Sequence, residues 1–280
     1  MATIAIFFSS GAFGDCARHA ILHALDDERV AKILVYSSER NLPSLDEANW
    51  KCGCRKDHGA EMKKSPNFDQ KVQLTTVDVT DAEEMTNGDK VDLSGVDAVI
   101  SGLGNRQMFI GDRVARKGTK NIVVAMRDAS VQRIVAMSSM GVNEDKPCME
   151  WRSEGKFMAA LFKTVSRREY KDIAGMEKDL MATDDSDINY LLVRPVGLGE
   201  ECVPRGEYFI QKKKFQDALG PNMAKMDVGK FLLEEALDPT FERRAVVIGA
   251  DPAEANASFA VAGMERKEKT INGRAAEEKK

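Results

Sequence analysis

The sequence predicts an α/β fold: a doubly wound parallel sheet in a three-layer αβα arrangement. Three observations carry this. Short runs of Val, Ile, Leu and Ala alternate with longer segments of helical periodicity along most of the 280 residues. Several of the short runs are almost continuously apolar, as strands buried on both faces of a parallel sheet are. A glycine-bearing turn, "FFSSGAFG" (7–14), stands between the first strand pattern and the first helix pattern.

The first strand is expected over 3–8, "TIAIFF", rich in β-branched and aromatic residues. The helix over 15–25 follows, with Ala17, Ile21 and Leu25 as its packing stripe. "AKILVYS" (31–37) gives the second strand, and residues 41–70 read as a polar surface insertion containing two prolines. Strands are expected next at 72–79, 97–103, 133–139, 188–195 and 244–250. Helices are expected near 81–87, 107–129, 152–183 and 227–237. The last of these places Val228, Phe231, Leu232 and Ala236 at core-facing spacing. Residues 1–255 should form one domain, and 256–280, charged and poor in large apolar residues, a flexible tail.

Bulk properties narrow the function. A net charge of −4 provides no electrostatic footprint for nucleic acid. No apolar run reaches the roughly 18 residues a membrane span needs. Five cysteines lie scattered without a framework spacing. This favours a reducing compartment, either the cytoplasm or an organellar stroma or matrix. The expected partners are a small-molecule substrate or a protein. No residue pattern demands a homodimer, and none forbids one.

The turn at 7–14 is the main chemical signal. A strand, a glycine turn and a helix start together form an anion site, because the free N–H groups and dipole of the first helical turn attract a diphosphate. Ser9, Ser10, Gly11, Ala12, Phe13 and Gly14 would surround it. In a G-x-x-G-x-x-G spacing, Phe8 occupies the first glycine's place. Such a turn works only if Phe8 keeps a negative φ and its ring lies away from the phosphates. After the second strand, "VYSSERN" offers no carboxylate at Tyr36 or Ser37 for a ribose 2′-hydroxyl. Ser37, Ser38 and Arg40 can instead take a 2′-phosphate, which favours NADP over NAD.

The chain resembles the atypical short-chain dehydrogenase/reductase superfamily, and within it the NmrA-like and biliverdin-reductase-B-like NAD(P)(H)-binding proteins. The resemblance covers roughly residues 2–250. It rests on "IAIFFSSGAFG", "VDVTDAEEM", "VDAVISGLGNRQ", "VQRIVAMSSMGV", "INYLLVRPVGL" and "MDVGKFLLEEAL" in their order and spacing. It implies a Rossmann-like core with a cofactor lying across the carboxyl ends of the strands. Asp78 and Val79 would flank the adenine, and Gly102, Leu103 and Gly104 would line the cofactor. Ser138 and Ser139 would face the nicotinamide, and Arg194 and Pro195 would close the site.

Many relatives carry a Tyr-x-x-x-Lys pair, in which the lysine lowers the tyrosine pKa so that it can pass a proton while hydride moves. "REYKDIAGMEKDL" supplies Tyr170, but Ala174 stands in the lysine's place. Arg167, three residues before Tyr170, lies on the same helix face and is the nearest replacement cation. Ser139 and Tyr170 are therefore the catalytic candidates for an NADPH-dependent reductase of a small carbonyl or conjugated-ring substrate. The alternative is a nucleotide-sensing or scaffold protein on the same fold with a degenerate site. No metal is expected. Cys52, Cys54 and His58 lack a local fourth ligand, and the Cys16, His19, His23 stripe borders a packing face.

Overall fold

The computed structural model describes residues 1–9, 11–37, 62–104, 114–143, 164, 166–184, 187–199, 203–210, 219 and 222–250. Its elements run β1 (Ala2–Phe8), α1 (Ala12–Asp26), β2 (Val30–Ser37), α2 (Phe68–Lys71), β3 (Val72–Thr76), α3 (Ala82–Thr86), β4 (Ala98–Gly102) and α4 (Val114–Asp128). They continue with β5 (Arg133–Met137), α5 (Arg167–Met181), β6 (Asn189–Pro195), β7 (Gly197–Gly199), β8 (Phe209–Ile210), β9 (Asn222–Ala224), α6 (Lys225–Leu237) and β10 (Arg244–Gly249). The main sheet has the order β3-β2-β1-β4-β5-β6-β10-β8. Among the described residues of this sheet, only the β10–β8 pair is antiparallel. A second, two-stranded sheet pairs β7 with β9.

The three layers follow from the strand period of two. Ile4, Ile6 and Phe8 of β1, Ile33 and Val35 of β2, and Ile100 of β4 face one core, with Ala17, Ile21 and Leu25 of α1 and Val228, Phe231 and Leu232 of α6. Ala5 and Phe7, Leu34 and Tyr36, and Val99 face the other, with Ile122 and Met126 of α4 and Ile173, Met176 and Leu180 of α5. Burial on both faces explains the nearly unbroken apolar runs.

Three expectations need correction. The third strand ends at Thr76, not at residue 79. The Asp78 carboxylate accepts from Thr80 N–H (2.9 Å) and Thr80 Oγ1 (2.7 Å), a local turn that ends the extended chain. The Asp81 side chain then caps α3. Nor is the insertion at 41–70 all surface: Met62 is fully buried and Phe68 packs on the α1 side of the core. Its residues 41–61, and the tail at 256–280, lie outside the described residues. The short β7, β8 and β9 carry too few residues for a readable period, and none was expected.

Candidate functional site

In a doubly wound sheet, ligands bind outside the carboxyl ends of the strands where the chain order reverses. Here the reversal falls between β1 and β4, both neighbours of the glycine turn. Phe8 meets both conditions set for it. It is the last residue of β1, paired with Ser37 and Gly102, and is not among the residues of positive φ. Its ring is fully buried in the core, with the Arg18 guanidinium 5.1 Å above its centroid. The missing first glycine thus costs the turn no space.

Gly11 has φ 99° and begins α1 as its N-cap, with no side-chain cap hydrogen bond. That φ favours glycine. The N–H groups of Ala12, Phe13 and Gly14 have no partner within the helix, as in any first turn. Gly14 lets α1 settle directly onto the turn: a Cβ there would lie 1.7 Å from the Ser9 carbonyl oxygen. Ser9 is buried and exchanges hydrogen bonds with Gly104. Its hydroxyl donates to the Gly104 carbonyl and accepts from the Gly104 N–H at 2.8 Å. A Cβ at Gly102 would lie 2.6 Å from that of Ala17, and one at Gly104 would lie 3.0 Å from the Phe13 ring. The turns after β1 and β4 are therefore fastened to each other beneath an uncapped helix start. This arrangement fits a diphosphate, held by the Ala12–Gly14 amides with Gly102 and Gly104 alongside.

The other predicted binding residues divide. Ser37 ends β2 and is fully buried. Tyr36 stacks on Phe7 and donates its hydroxyl to the Asp92 carbonyl at 3.0 Å, so it belongs to the core. Ser10, Ser38 and Arg40 lie outside the described residues. Asp78 is half-buried, and its N–H is taken by Glu84 Oε2 (2.8 Å). Val79 and Leu103 are buried and pack about Gly118 of α4, so only their backbones can line a ligand.

At the ends of β5 and β6, where Ser138 and Ser139 are expected to face the nicotinamide, Ser138 belongs to a buried polar network. Glu177 of α5 is fully buried. Oε1 accepts from Ser138 Oγ (2.6 Å) and Arg194 Nε (2.8 Å), and Oε2 from Arg194 Nη2 (2.8 Å) and Asn143 Nδ2 (2.6 Å). The Ser138 hydroxyl proton is thus donated within the protein, and Arg194 clamps the same carboxylate. Ser139 is half-buried, and its hydroxyl reaches the Met140 carbonyl at 3.3 Å. Pro195 ends β6 and accepts from Met140 N–H at 3.2 Å. Tyr170 sits half-buried in the first turn of α5, packed against the second core. Ala174 is buried, with its carbonyl 3.3 Å from Asn143 Nδ2. Arg167 opens the same helix and is exposed. The sequence reading missed Glu177 and Asn143. The available signal was spacing: Tyr170, Ala174 and Glu177 stand at i, i+4 and i+7 on one helix face.

The Cys16–His19–His23 stripe is a helix interface. A Cβ on Gly229 of α6 would lie 2.6 Å from that of His19 and 2.8 Å from the Cys16 carbonyl. His23 Nε2 is 3.1 Å from the Met226 carbonyl, and burial holds its imidazole below the usual histidine range. Burial pushes the Cys16 thiol up, with Asp15 adding to the effect. Among the described residues no group of three or more His, Cys, Asp or Glu gathers to hold a metal. No helix among them is long and apolar enough to cross a membrane. Cys52, Cys54 and His58 lie outside the described residues.

Comparison with known proteins adds a family. A family model described as NAD(P)H-binding matches residues 59–239. A search of curated proteins finds no match. Among solved structures, a short-chain dehydrogenase/reductase from Veillonella parvula DSM 2008, in complex with NADP, superposes with a TM-score of 0.57 at 15% identity. The match covers 89% of this chain and 94% of that one. ChuY, an anaerobilin reductase from Escherichia coli O157:H7, gives 0.56 at 16% identity over 88% and 96% of the two chains. The oxidoreductase YlbE from Lactococcus lactis gives 0.54 at 18% identity over 91% and 96%. At these identities the likeness is one of fold.

Proposed function

Because the chain belongs to the NAD(P)H-binding family, we propose that it is an NADPH-dependent reductase of a small carbonyl or conjugated-ring substrate. One observation carries the reading: the uncapped start of α1 at Gly11, seated beside the β1–β4 reversal and fastened to the β4 turn through Ser9. The amides of Ala12, Phe13 and Gly14 hold the diphosphate. Preference for NADP is supported by the last two residues of β2, Tyr36 and Ser37, neither of which is a carboxylate, and by Ser38 and Arg40, which follow with Glu39 between them. When bound, the cofactor supplies a hydride to the acceptor. The chain's own contribution is then a proton and a fixed site. Tyr170 donates its hydroxyl proton to the acceptor oxygen, Ser139 orients that oxygen, and the Glu177–Arg194 clamp fixes the loop carrying Ser139.

A second reading has its own observation. Ala174 is buried where the helper lysine would stand, and Arg167, the cation on the face of Tyr170, is exposed at the start of α5. A protein that binds the dinucleotide without turning it over, and answers to a partner, would show the same feature. Single-turnover mixing of NADPH-loaded protein with flavin, quinone and aldehyde acceptors separates the two. The reductase reading expects oxidation with one acceptor class, slowed about a hundredfold or more by Tyr170→Phe. Bound NADPH that no acceptor oxidises would leave the non-catalytic reading.

A further inference from the structure

The residue that follows the phosphate turn is a carboxylate. Asp15 lies in the first turn of α1, directly after Gly14, and is nine-tenths buried. In an empty helix its charge complements the positive pole. Toward a diphosphate on the same pole it is repulsive, and its burial weakens screening by salt. The structure brings a cation to it from far along the chain. Lys225, the first residue of α6 and also nine-tenths buried, places Nζ 2.6 Å from Asp15 Oδ2. Arg18 Nη1 lies 3.2 Å from the other oxygen, one helical turn on. The same end of α6 holds another segment: Asp227 accepts from the N–H groups of Arg205 (3.1 Å) and Gly206 (2.8 Å).

We propose that Lys225 is a binding residue at one remove: by neutralising Asp15 it sets the strength of the diphosphate site, and Asp15 restrains that site. The inference rests on the dinucleotide reading given above. It ties the nucleotide turn to α6 and to the 203–206 segment that α6 anchors. The physical signature is a pair of effects with opposite signs. Removing Lys225 leaves a carboxylate one residue past the phosphate turn with Arg18 as its cation. Removing the Asp15 charge leaves the Lys225 ammonium unneutralised next to the first turn of α1. A merely structural ion pair would make both losses alike, since each breaks the same contact.

The test is calorimetric titration of NADPH into the wild type, Lys225→Met and Asp15→Asn, at low and at moderate salt, with the melting temperature of each unliganded protein. Both variants should melt lower than the wild type. Lys225→Met should bind about tenfold more weakly and Asp15→Asn several-fold more tightly, the size expected for unit charges several ångströms apart in a partly buried setting. Lys225→Arg should bind like the wild type. Should Lys225→Met not fold, the isosteric Asp15→Asn decides. Tighter binding supports the proposal, and equal or weaker binding overturns it. Two variants that weaken together, or that leave affinity unchanged, also overturn it while the dinucleotide reading stands. A wild type that binds no dinucleotide removes that reading, and this inference with it.

Discussion

Gly14→Ala is expected to destabilise the protein by about 3 kcal/mol or more and to abolish dinucleotide binding. The added methyl carbon would sit 1.7 Å from the Ser9 carbonyl oxygen and 2.9 Å from its carbon. Both atoms are backbone, so no side chain can rotate away. Relief requires α1 to move off β1 and β4, yet Ala17, Ile21 and Leu25 of α1 are fully buried against that core. Ser9 is also fastened to Gly104, so the strain would spread to the turn after β4. The control is Gly88→Ala. Gly88 is exposed, and a Cβ there meets nothing within 4 Å. That variant should lie within about 0.5 kcal/mol of the wild type. Denaturant unfolding of the two variants checks the pair. A Gly14→Ala protein as stable as Gly88→Ala would mean that α1 is not seated on the turn.

The second large effect belongs to Glu177. Glu177→Ala should cost about 3–5 kcal/mol, because it leaves the Arg194 guanidinium buried without its carboxylate. Glu177→Gln keeps the shape and loses the charge, so it should cost less. The double variant Glu177→Met/Arg194→Met removes both charges and should recover much of the stability, since apolar replacements of a buried pair are often neutral or better. It should not recover function. Glu177 also holds Ser138 and Asn143, and between them runs the chain that carries Ser139. Urea unfolding gives the stabilities. Titration with NADPH and with 2′,5′-ADP, which lacks the nicotinamide half, gives the binding. The double variant should bind 2′,5′-ADP like the wild type and NADPH more weakly. Equal losses for both ligands would show that the network acts on the whole fold and has no special bearing on the nicotinamide end.

The sequence disclosed the layers because burial on both faces writes itself into composition. β1, β2, β4, β5 and β6 carry runs that few other environments would select. Gly11 and Gly14 were legible for the same kind of reason: a positive φ and a backbone contact exclude other residues. Phe8 shows the limit of motif reading. The spacing marked it as a departure, while its environment, a strand end whose ring points into the core, makes it ordinary. Ser138 shows the converse. Its position in the chain suggests a ligand contact, and no local signal reports that its hydroxyl donates to Glu177, 39 residues later. Lys225 and Asp15 are 210 residues apart. No local period reports a contact of that kind. It appears only once α1 and α6 are laid side by side.

The most direct test of the account is a thermal-shift titration of the full chain with NADPH, NADP, NADH and NAD. A ligand that binds only the native state must raise the melting temperature with concentration. A saturable rise with NADPH and NADP, larger than with NADH and NAD and absent in Gly14→Ala, is the predicted result. No shift with any of the four at millimolar concentration would contradict it.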